Sequence, residues 1–442
     1  MYRNNLVGGP SIVFHHYHEK NKTLIRNQKV CKKVFGFDAN ALYLWAIGQD
    51  MLCGEHEVID AYPGLVNDIL SGLFYGVVEC DVQVPEGLKD YFAEMAPIFK
   101  HSDISYENVS EDTKTQVKEN YKSQKLIGSL HGLKMAFHTD LLKWYLQKGI
   151  VVSNITLVVR YQKAQPFQNF MQQVTEARRK GDVAPEYKLK GEMMKLLGNA
   201  SYGKCITNFT KHESVKIVTE SQYPKYIAKN TYKSHEDLVE GYEFRLKKTS
   251  FKQNLPIQIG FAVYQLAKLK MLQFYYDFIY FYFDRADYQY CQMDTDSAYI
   301  AFSSENLNDI VKPELQEHFQ QYKHNWLCRT DTEEERLFDK RTPGLFKEEF
   351  QGDGIIALSS KMYHCIGGKK KLSCKGINQR QNKLVEAHYR NALLGNSSQE
   401  FTNKGFRIMN GIMSSYSLVK TGMKLFNDKR LRNGFSTLPL SI

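Results

Sequence analysis

Two parts of this chain combine a β-prone apolar run with carboxylates placed where a strand should end. Residues 34–37 form a short apolar and aromatic run that predicts a buried strand, with Asp38 at its carboxyl end. Residues 288–293 and 298–302 are two further β-prone runs, and the small polar residues 294–297 between them predict a hairpin turn. Carboxylates are therefore expected at the ends of two strands.

A third part of the chain, around Lys195, predicts a helix. Lys195, Asn199 and Tyr202 fall at positions i, i+4 and i+7, so they share one helical face. An apolar stripe on the same helix is formed by Leu189, Met193, Leu196 and Leu197. This amphipathic pattern predicts that the apolar stripe is buried and that the face with the lysine is wet.

These residue types are the ones that nucleotidyl transfer with two metal ions requires. Charge builds on the attacking and leaving oxygens when a hydroxyl attacks a triphosphate, and two divalent ions can stabilise both. Mg²⁺ usually takes one or two carboxylates plus water and phosphate oxygens, so Asp38 and Asp296 are the candidate ligands. The ammonium of Lys195 suits a triphosphate. A solvated turn is the alternative for the aspartates, and an ordinary amphipathic helix is the alternative for Lys195.

Four ordered motifs resemble those of family B DNA polymerases, and within them the protein-primed branch of bacteriophages, linear plasmids and Polinton-type (Maverick) transposons. The motif DxxxLYP matches Asp38 to Leu44, KxxxNSxYG matches Lys195 to Gly203, YxDTDS matches Gln292 to Ser297, and KxY matches Lys361 to Tyr363. Departures from these motifs occur at Leu44, Ala200 and Gln292. None of them removes a metal ligand or the triphosphate lysine.

The resemblance implies a right-hand polymerase fold of the α+β class, with an antiparallel palm sheet, helical fingers and a small thumb. It implies that Asp38 and Asp296 hold two Mg²⁺ ions, which Mn²⁺ can replace. The Ala39 carbonyl would be a further metal ligand, and Asp294 would tune the catalytic site as a neighbour.

The resemblance also implies how a nucleotide binds. Tyr43 would be the steric gate, with its ring under the incoming sugar so that a 2′-hydroxyl clashes. Lys195 would grip the triphosphate, and Asn199 and Tyr202 would line the pocket of the nascent base pair. Deoxynucleoside triphosphates are therefore the expected substrates.

The DNA template and primer are the other partners that the resemblance implies. Lys361 and Tyr363 would hold the primer-terminal backbone, and Lys375 matches a lysine-glycine step that follows in the family. Further candidates for triphosphate or DNA contact are Arg178, Arg179 and Lys188, with a solvated basic face as the alternative.

The motifs are spaced more widely than a palm and a fingers hairpin require, which resembles the two insertions of the protein-primed branch. The predicted division is an N-terminal remnant (1–31), palm with the first motif (32–54), insertion plus palm (55–173), fingers (174–207), second insertion (208–254), palm with the aspartate hairpin (255–342), palm-to-thumb segment (343–378) and thumb (379–442). In that branch the insertions contact a terminal priming protein and encircle the template. Surface elaboration is the alternative.

Composition agrees with a nucleic-acid partner. The net charge is +11 and the pI is about 9.0, which favours a polyanion. The eight cysteines include no CxxC pair, so neither a zinc site nor a disulfide framework is predicted. We expect an intracellular protein, nuclear or at the site of element replication in a eukaryote, because the sequence carries no signal peptide or membrane span.

The segment ahead of Asp38 is too short for the 3′→5′ exonuclease domain of family B polymerases, so no proofreading is expected from this chain. His15, His16 and His18 lie in that segment without a carboxylate partner, which predicts a partly ordered terminus. The main rival hypothesis is a truncated, catalytically inactive mobile-element remnant that binds nucleic acid. Six motif residues expected to be functional are retained, which speaks against decay: Asp38, Tyr43, Lys195, Asp296, Lys361 and Tyr363. Tyr43 also speaks against an RNA-templated polymerase.

Overall fold

The computed structural model describes residues 1–252, 254–395, 399–409 and 411–442. Residue 253 of the predicted second insertion and residues 396–398 and 410 of the predicted thumb lie outside the described residues. The α-helices in the described ranges are α1 (Leu42–Ile47), α2 (Leu65–Ser71), α3 (Lys89–Phe92), α4 (Glu111–Lys114), α5 (Thr139–Gln147), α6 (Gln168–Val183), α7 (Lys188–Cys205), α8 (Tyr223–Ile227), α9 (Ile257–Gln273), α10 (Tyr280–Tyr282), α11 (Gln316–Tyr322), α12 (Glu333–Asp339) and α13 (Glu386–Leu393).

The strands of the same ranges are β1 (Ser11–Val13), β2 (Tyr17–Glu19), β3 (Leu24–Ile25), β4 (Lys29–Val30), β5 (Lys33–Ala39), β6 (Met51–Ile59), β7 (Gly76–Gln83), β8 (Ile98–Ser105), β9 (Lys122–Ser129), β10 (His131–His138), β11 (Val151–Ala164), β12 (Glu213–Val218), β13 (Tyr232–Leu238), β14 (Gly241–Lys247), β15 (Tyr288–Asp294), β16 (Ser297–Phe302), β17 (Phe346–Gly352), β18 (Gly354–Ser359), β19 (Met362–Ile366), β20 (Leu372–Cys374), β21 (Gln399–Met409), β22 (Ile412–Gly422), β23 (Arg430–Asn433) and β24 (Ser436–Pro439).

The five-stranded sheet brings distant parts of the chain together. Its order is β1-β15-β16-β5-β17, and each neighbouring pair is antiparallel. Phe37 of β5 packs edge-on against Phe274 of the π-helix that follows α9, and Phe346 of β17 stacks on the same ring at 3.7 Å between centroids. Because side chains alternate along a strand, Asp38 lies on the opposite face of the sheet.

The structure also contains smaller antiparallel sheets. The region predicted as the first insertion contains β7, β10, β11 and the second half of β6, which form the sheet β10-β7-β11-β6, and the region predicted as the second insertion contains β12-β14-β13. The C-terminal region carries the long hairpin β21-β22 and the short hairpin β23-β24. The combination of helices with antiparallel sheets agrees with the predicted class. Among the described residues, no helix is both long enough and apolar enough to cross a membrane.

Helices α6 and α7 pack against each other through glycine. A Cβ on Gly191 would lie 3.5 Å from the Cα of Gly181, and a Cβ on Gly198 would lie 3.2 Å from Val174. The stripe of Leu189, Met193, Leu196 and Leu197 is exposed instead. The prediction of a buried apolar stripe was therefore wrong, because the close approach of the two backbones selects the glycine face.

The segment before β5 is ordered, so the prediction of a partly ordered terminus was also wrong. Its strands β1 and β2 pair with β15 and β18, and His15, His16 and His18 are buried. His18 Nε2 lies 3.0 Å from Gln289 Oε1, and His15 Nδ1 lies 3.0 Å from Ser436 Oγ. Burial lowers the pKa of His16 and His18 to about 4. Amide and hydroxyl groups from distant segments therefore form hydrogen bonds with neutral histidine rings, and these rings need no carboxylate partner.

Arg430 ties the C-terminal hairpin to the rest of the molecule. It is 1% exposed, its Nε donates to Thr437 Oγ1 at 2.6 Å, and its Nη2 donates to the Ala93 carbonyl at 2.8 Å. The guanidinium also lies 5.1 Å from the centroid of the Phe14 ring. Removal of this side chain would leave both a cavity and a carbonyl without its donor.

We therefore expect Arg430→Ala to lower the free energy of unfolding by about 3 kcal/mol. Urea unfolding followed by tryptophan fluorescence would measure the change. The exposed Arg407→Ala serves as the matched control and should stay within about 0.5 kcal/mol of the wild type. Equal losses in the two variants would contradict the proposed role of Arg430.

Candidate active site

Asp38 and the aspartate hairpin meet at one end of the five-stranded sheet. Ser297 lies opposite Asp38 in the register of β16 and β5, and the Ala39 amide donates to the Asp296 carbonyl at 2.8 Å. Thr295 takes the left-handed conformation, with φ of 63°, in the tight turn. The predicted strand end and the predicted hairpin are both confirmed, and their pairing places the Asp38 and Asp296 side chains next to each other.

Two of the three carboxylates have a lysine partner. Lys347 Nζ lies 2.8 Å from Asp38 Oδ2, and Lys361 Nζ lies 2.9 Å from Asp294 Oδ1. The contact between Lys361 and Asp294 is an ion pair that lacks the geometry of a hydrogen bond. Asp296 has no such partner among the described residues. Burial raises the pKa of Asp296 to about 7, and the charge of Asp38 adds to this rise. Burial also raises the pKa of Asp38, against the opposing effect of Lys347. A cation between the two carboxylates would relieve their repulsion.

The donor chemistry of this pair fits Mg²⁺. Asp38 and Asp296 offer hard carboxylate oxygens, and Mg²⁺ usually takes one or two carboxylates with water and phosphate oxygens. Ala39 ends β5 beside them, so its carbonyl oxygen stays a candidate ligand. Within the described ranges, no group of three or more His, Cys, Asp or Glu side chains could hold a metal ion. Water and a substrate would therefore supply the remaining ligands.

Three tyrosine rings form a cluster near the carboxylates. Tyr43 of α1 lies 4.7 Å from Tyr202 of α7 and 5.9 Å from Tyr264 of α9, measured between ring centroids. Burial raises the pKa of Tyr202 to about 12, and the charge of Asp296 makes a small further contribution. The predicted gate and one predicted pocket residue are thus in contact. Tyr264 was not identified from the sequence, because nothing in the local pattern of α9 distinguishes it.

Lys195 and Asn199 lie on the exposed surface of α7. Neither side chain makes a hydrogen bond or ion pair in the part of the chain that the structure describes. Helix α7 contacts α1 at Gly198, where a Cβ would meet Leu44 at 3.5 Å. The C-terminal end of α7 therefore brings Tyr202 to the cluster, while Lys195 remains free to contact a ligand.

The basic residues upstream of Lys195 differ in their contacts and in their exposure. Arg179 lies 3.5 Å from the centroid of the Phe338 ring, and its Nη2 donates to Thr342 Oγ1 at 2.9 Å. It therefore joins α6 to α12 and is not part of a solvated basic face. Burial lowers the pKa of Arg178, whereas Lys188 is exposed.

The residues predicted to hold the primer are joined by the strands β19 and β20. The Lys375 amide donates to the Lys361 carbonyl at 3.0 Å. The Tyr363 hydroxyl lies 3.1 Å from the hydroxyl of Tyr299, which is a β16 residue three positions after Asp296. The predicted primer segment thus contacts the strand that carries the aspartate turn.

Lys347 and Glu349 also belong to the site and were not identified from the sequence. Both lie on β17, where Lys347 pairs with Asp38 and lies 3.0 Å from Glu349 Oε1. Their spacing of two residues on a β-prone run is a signal that could have placed them on one face. The contact with Asp38 itself depends on the pairing of β17 with β5.

No protein-family model matches this sequence, and no curated protein matches it significantly. Phi29 DNA polymerase complexed with primer-template DNA and incoming nucleotide substrates aligns with 96% of this chain, at 14% sequence identity and a TM-score of 0.50. The orthorhombic crystal form of Phi29 DNA polymerase also aligns with 96% of the chain, at 13% identity and a TM-score of 0.52. The chain spans 62% of the length of each. These likenesses show that the chain shares a fold with a DNA polymerase.

We expect Asp296→Asn to stabilise the protein at neutral and alkaline pH. The pKa of Asp296 is raised from 3.8 to about 7 in the folded state, so the folded protein binds the extra proton and stability falls as pH rises through this interval. Asparagine cannot ionise, so the variant should be more stable by about 2–4 kcal/mol at pH 8, and the difference should vanish below about pH 4.

Thermal unfolding between pH 4 and pH 8, without divalent ions, would measure this difference. The exposed Asp60→Asn is the matched control and should follow the wild type at each pH. The assignment fails if Asp296→Asn and the wild type unfold at the same temperature at pH 8.

Proposed function

We propose that this protein is a DNA-directed DNA polymerase that adds deoxynucleotides to a primer 3′ hydroxyl. The observation that carries the proposal is the adjacency of Asp38 and Asp296 beside the cluster of Tyr43, Tyr202 and Tyr264. A partly buried carboxylate pair next to aromatic rings can bind a triphosphate with its divalent ions and a base pair at the same time. The shared fold with Phi29 DNA polymerase and the net charge of +11 support the same function.

In the proposed reaction, Asp38 and Asp296 would hold two Mg²⁺ ions, and the Ala39 carbonyl would be a further ligand. Bound ions would stabilise the developing charge on the attacking and leaving oxygens. Asp294 keeps Lys361 close to the turn and tunes the electrostatics of the pair. Each carboxylate acts by position, since its backbone is held in the sheet or in the tight turn between β15 and β16 before any substrate arrives.

The nucleotide would bind between the carboxylates and the helices α1 and α7. Lys195, exposed and without a partner among the described residues, is available for the triphosphate. Asn199 and Tyr202 would line the base-pair pocket. The Tyr43 ring, packed against Tyr202, would lie under the sugar and exclude a 2′-hydroxyl.

The proposed DNA path uses residues close to the aspartate turn. Lys361, Tyr363 and Lys375 would contact the primer strand. The five-stranded sheet would be the palm, α6 and α7 the fingers, and the region after residue 378 the thumb. The sheets within 55–173 and 208–254 would contact a terminal priming protein and the template during replication of a mobile element or virus.

Primer extension tests the proposal most directly. Purified protein with primed DNA, Mg²⁺ and deoxynucleotides should extend the primer, and Asp38→Ala and Asp296→Ala should each reduce the rate at least about 10³-fold, because each removes a metal ligand. Asp60→Asn should retain the wild-type rate. A folded wild-type protein that binds primed DNA and adds no nucleotide would contradict the proposal and favour the inactive remnant.

Tyr43→Ala tests the gate. Removing the ring should increase ribonucleotide incorporation relative to deoxynucleotide incorporation by about 10- to 100-fold, because the clash with the 2′-hydroxyl is lost. The ratio of kcat/KM for the two sugars measures it, and Tyr43→Phe should keep the selectivity because the ring remains. Unchanged selectivity in Tyr43→Ala would refute the gate assignment.

A further inference from the structure

Four alternating charges connect the candidate metal site to the loop between β19 and β20. Lys347 Nζ lies 2.8 Å from Asp38 Oδ2 and 3.0 Å from Glu349 Oε1. Lys371 Nζ lies 2.6 Å from Glu349 Oε2. The exposure of the four side chains ranges from 19% for Asp38 to 34% for Lys371, so water screens these contacts only in part. Lys347 is therefore an ammonium in contact with two carboxylates at once.

The backbone explains this arrangement. The register of β17 and β5 sets Lys347 opposite Asp38. The register shifts between Glu348 and Phe350, so Glu349 has no partner in the ladder. Lys347 and Glu349 are two positions apart on β17, which places them on one face, and the Glu349 carboxylate lies 3.0 Å from the same ammonium that contacts Asp38.

A divalent ion at Asp38 and Asp296 would compete with Lys347 for the same carboxylate. Like charges a few ångströms apart repel strongly in a partly buried site. The ammonium of Lys347 can avoid the ion without losing its charge partner, because Glu349 already lies within contact distance. Lys361 has no such choice, since Asp294 is its one carboxylate partner among the described residues.

We propose that Lys347 is a positioning residue that exchanges between two carboxylates. It pairs with both Asp38 and Glu349 when no divalent ion is bound, and it leaves Asp38 and keeps only Glu349 when an ion binds Asp38. The exchange rests on the proposed function, because it takes Asp38 as a metal ligand. Lys347 thereby keeps the Asp38 side chain in place in the ion-free protein and lowers the affinity of the site for ions, while Glu349 raises that affinity by accepting the lysine.

Mn²⁺ binding to the DNA-free protein tests the exchange without a catalytic step. The electron paramagnetic resonance signal of free Mn²⁺, an ion that also prefers carboxylate oxygens, gives the dissociation constant. Lys347→Met removes the competing charge, so the affinity should rise about three- to tenfold. Glu349→Gln removes the alternative acceptor, so Lys347 stays on Asp38 and the affinity should fall by a similar factor, about three- to tenfold.

The double variant Lys347→Met/Glu349→Gln separates the exchange from a direct effect of the Glu349 charge. If Glu349 acts through Lys347, the double variant should bind Mn²⁺ as Lys347→Met does. If the double variant instead loses as much affinity relative to Lys347→Met as Glu349→Gln loses relative to the wild type, the exchange is overturned. Lys347→Arg, which keeps the charge, should bind within about twofold of the wild type.

Lys33→Met is the matched control, because it also removes one positive charge, and Lys33 lies on β5 five residues before Asp38. It should leave the affinity within about twofold of the wild type, since that distance exceeds a Debye length. The exchange is overturned if Lys347→Met melts like the wild type and binds Mn²⁺ with unchanged affinity. If the wild-type protein still extends a primer in that case, the proposed function stands. Wild-type Mn²⁺ binding that Asp296→Asn does not weaken would overturn the metal site and the exchange together.

Discussion

The antiparallel register of β5 against β16 is the constraint on which the rest of this structure depends. It sets Ser297 opposite Asp38 and allows the Ala39 amide to donate to the Asp296 carbonyl. A slip of one residue would turn Asp38 toward the face where Phe37 packs against the π-helix after α9. The aromatic packing of one face of the sheet thus holds the carboxylates in place on the other.

Concentrating carboxylates at this sheet end has an electrostatic cost that the protein offsets only in part. Lys347 and Lys361 neutralise Asp38 and Asp294, whereas Asp296 has no cationic partner among the described residues and its pKa is raised to about 7. Strain of this kind is typical of sites whose stabilising ligand comes from outside the chain. The repulsion between the carboxylates lowers the stability of the ion-free protein, and a cation bound between them, as proposed, would offset that repulsion.

Long-range contacts explain where sequence reasoning failed. The helix around Lys195 was predicted correctly from its spacing, yet the face that it buries was not, because that choice depends on how closely Gly191 approaches α6. His15 and His18 gave no local sign of burial, since their partners Gln289 and Ser436 lie far along the chain. Periodicity describes one element at a time, and burial is a property of pairs of elements.

The sequence by itself determined the strand end at Asp38, the hairpin at residues 294–297 and the helix that carries Tyr202, because local pattern and turn chemistry decide such elements. It also determined which chemical groups are available. Only the tertiary structure decided that Lys347 lies between Asp38 and Glu349, and that Tyr264 joins the tyrosine cluster. The physical reason is that these contacts arise from strand pairing and helix packing between segments that are far apart in sequence. Local patterns of residues do not specify which distant segments pair when the core forms.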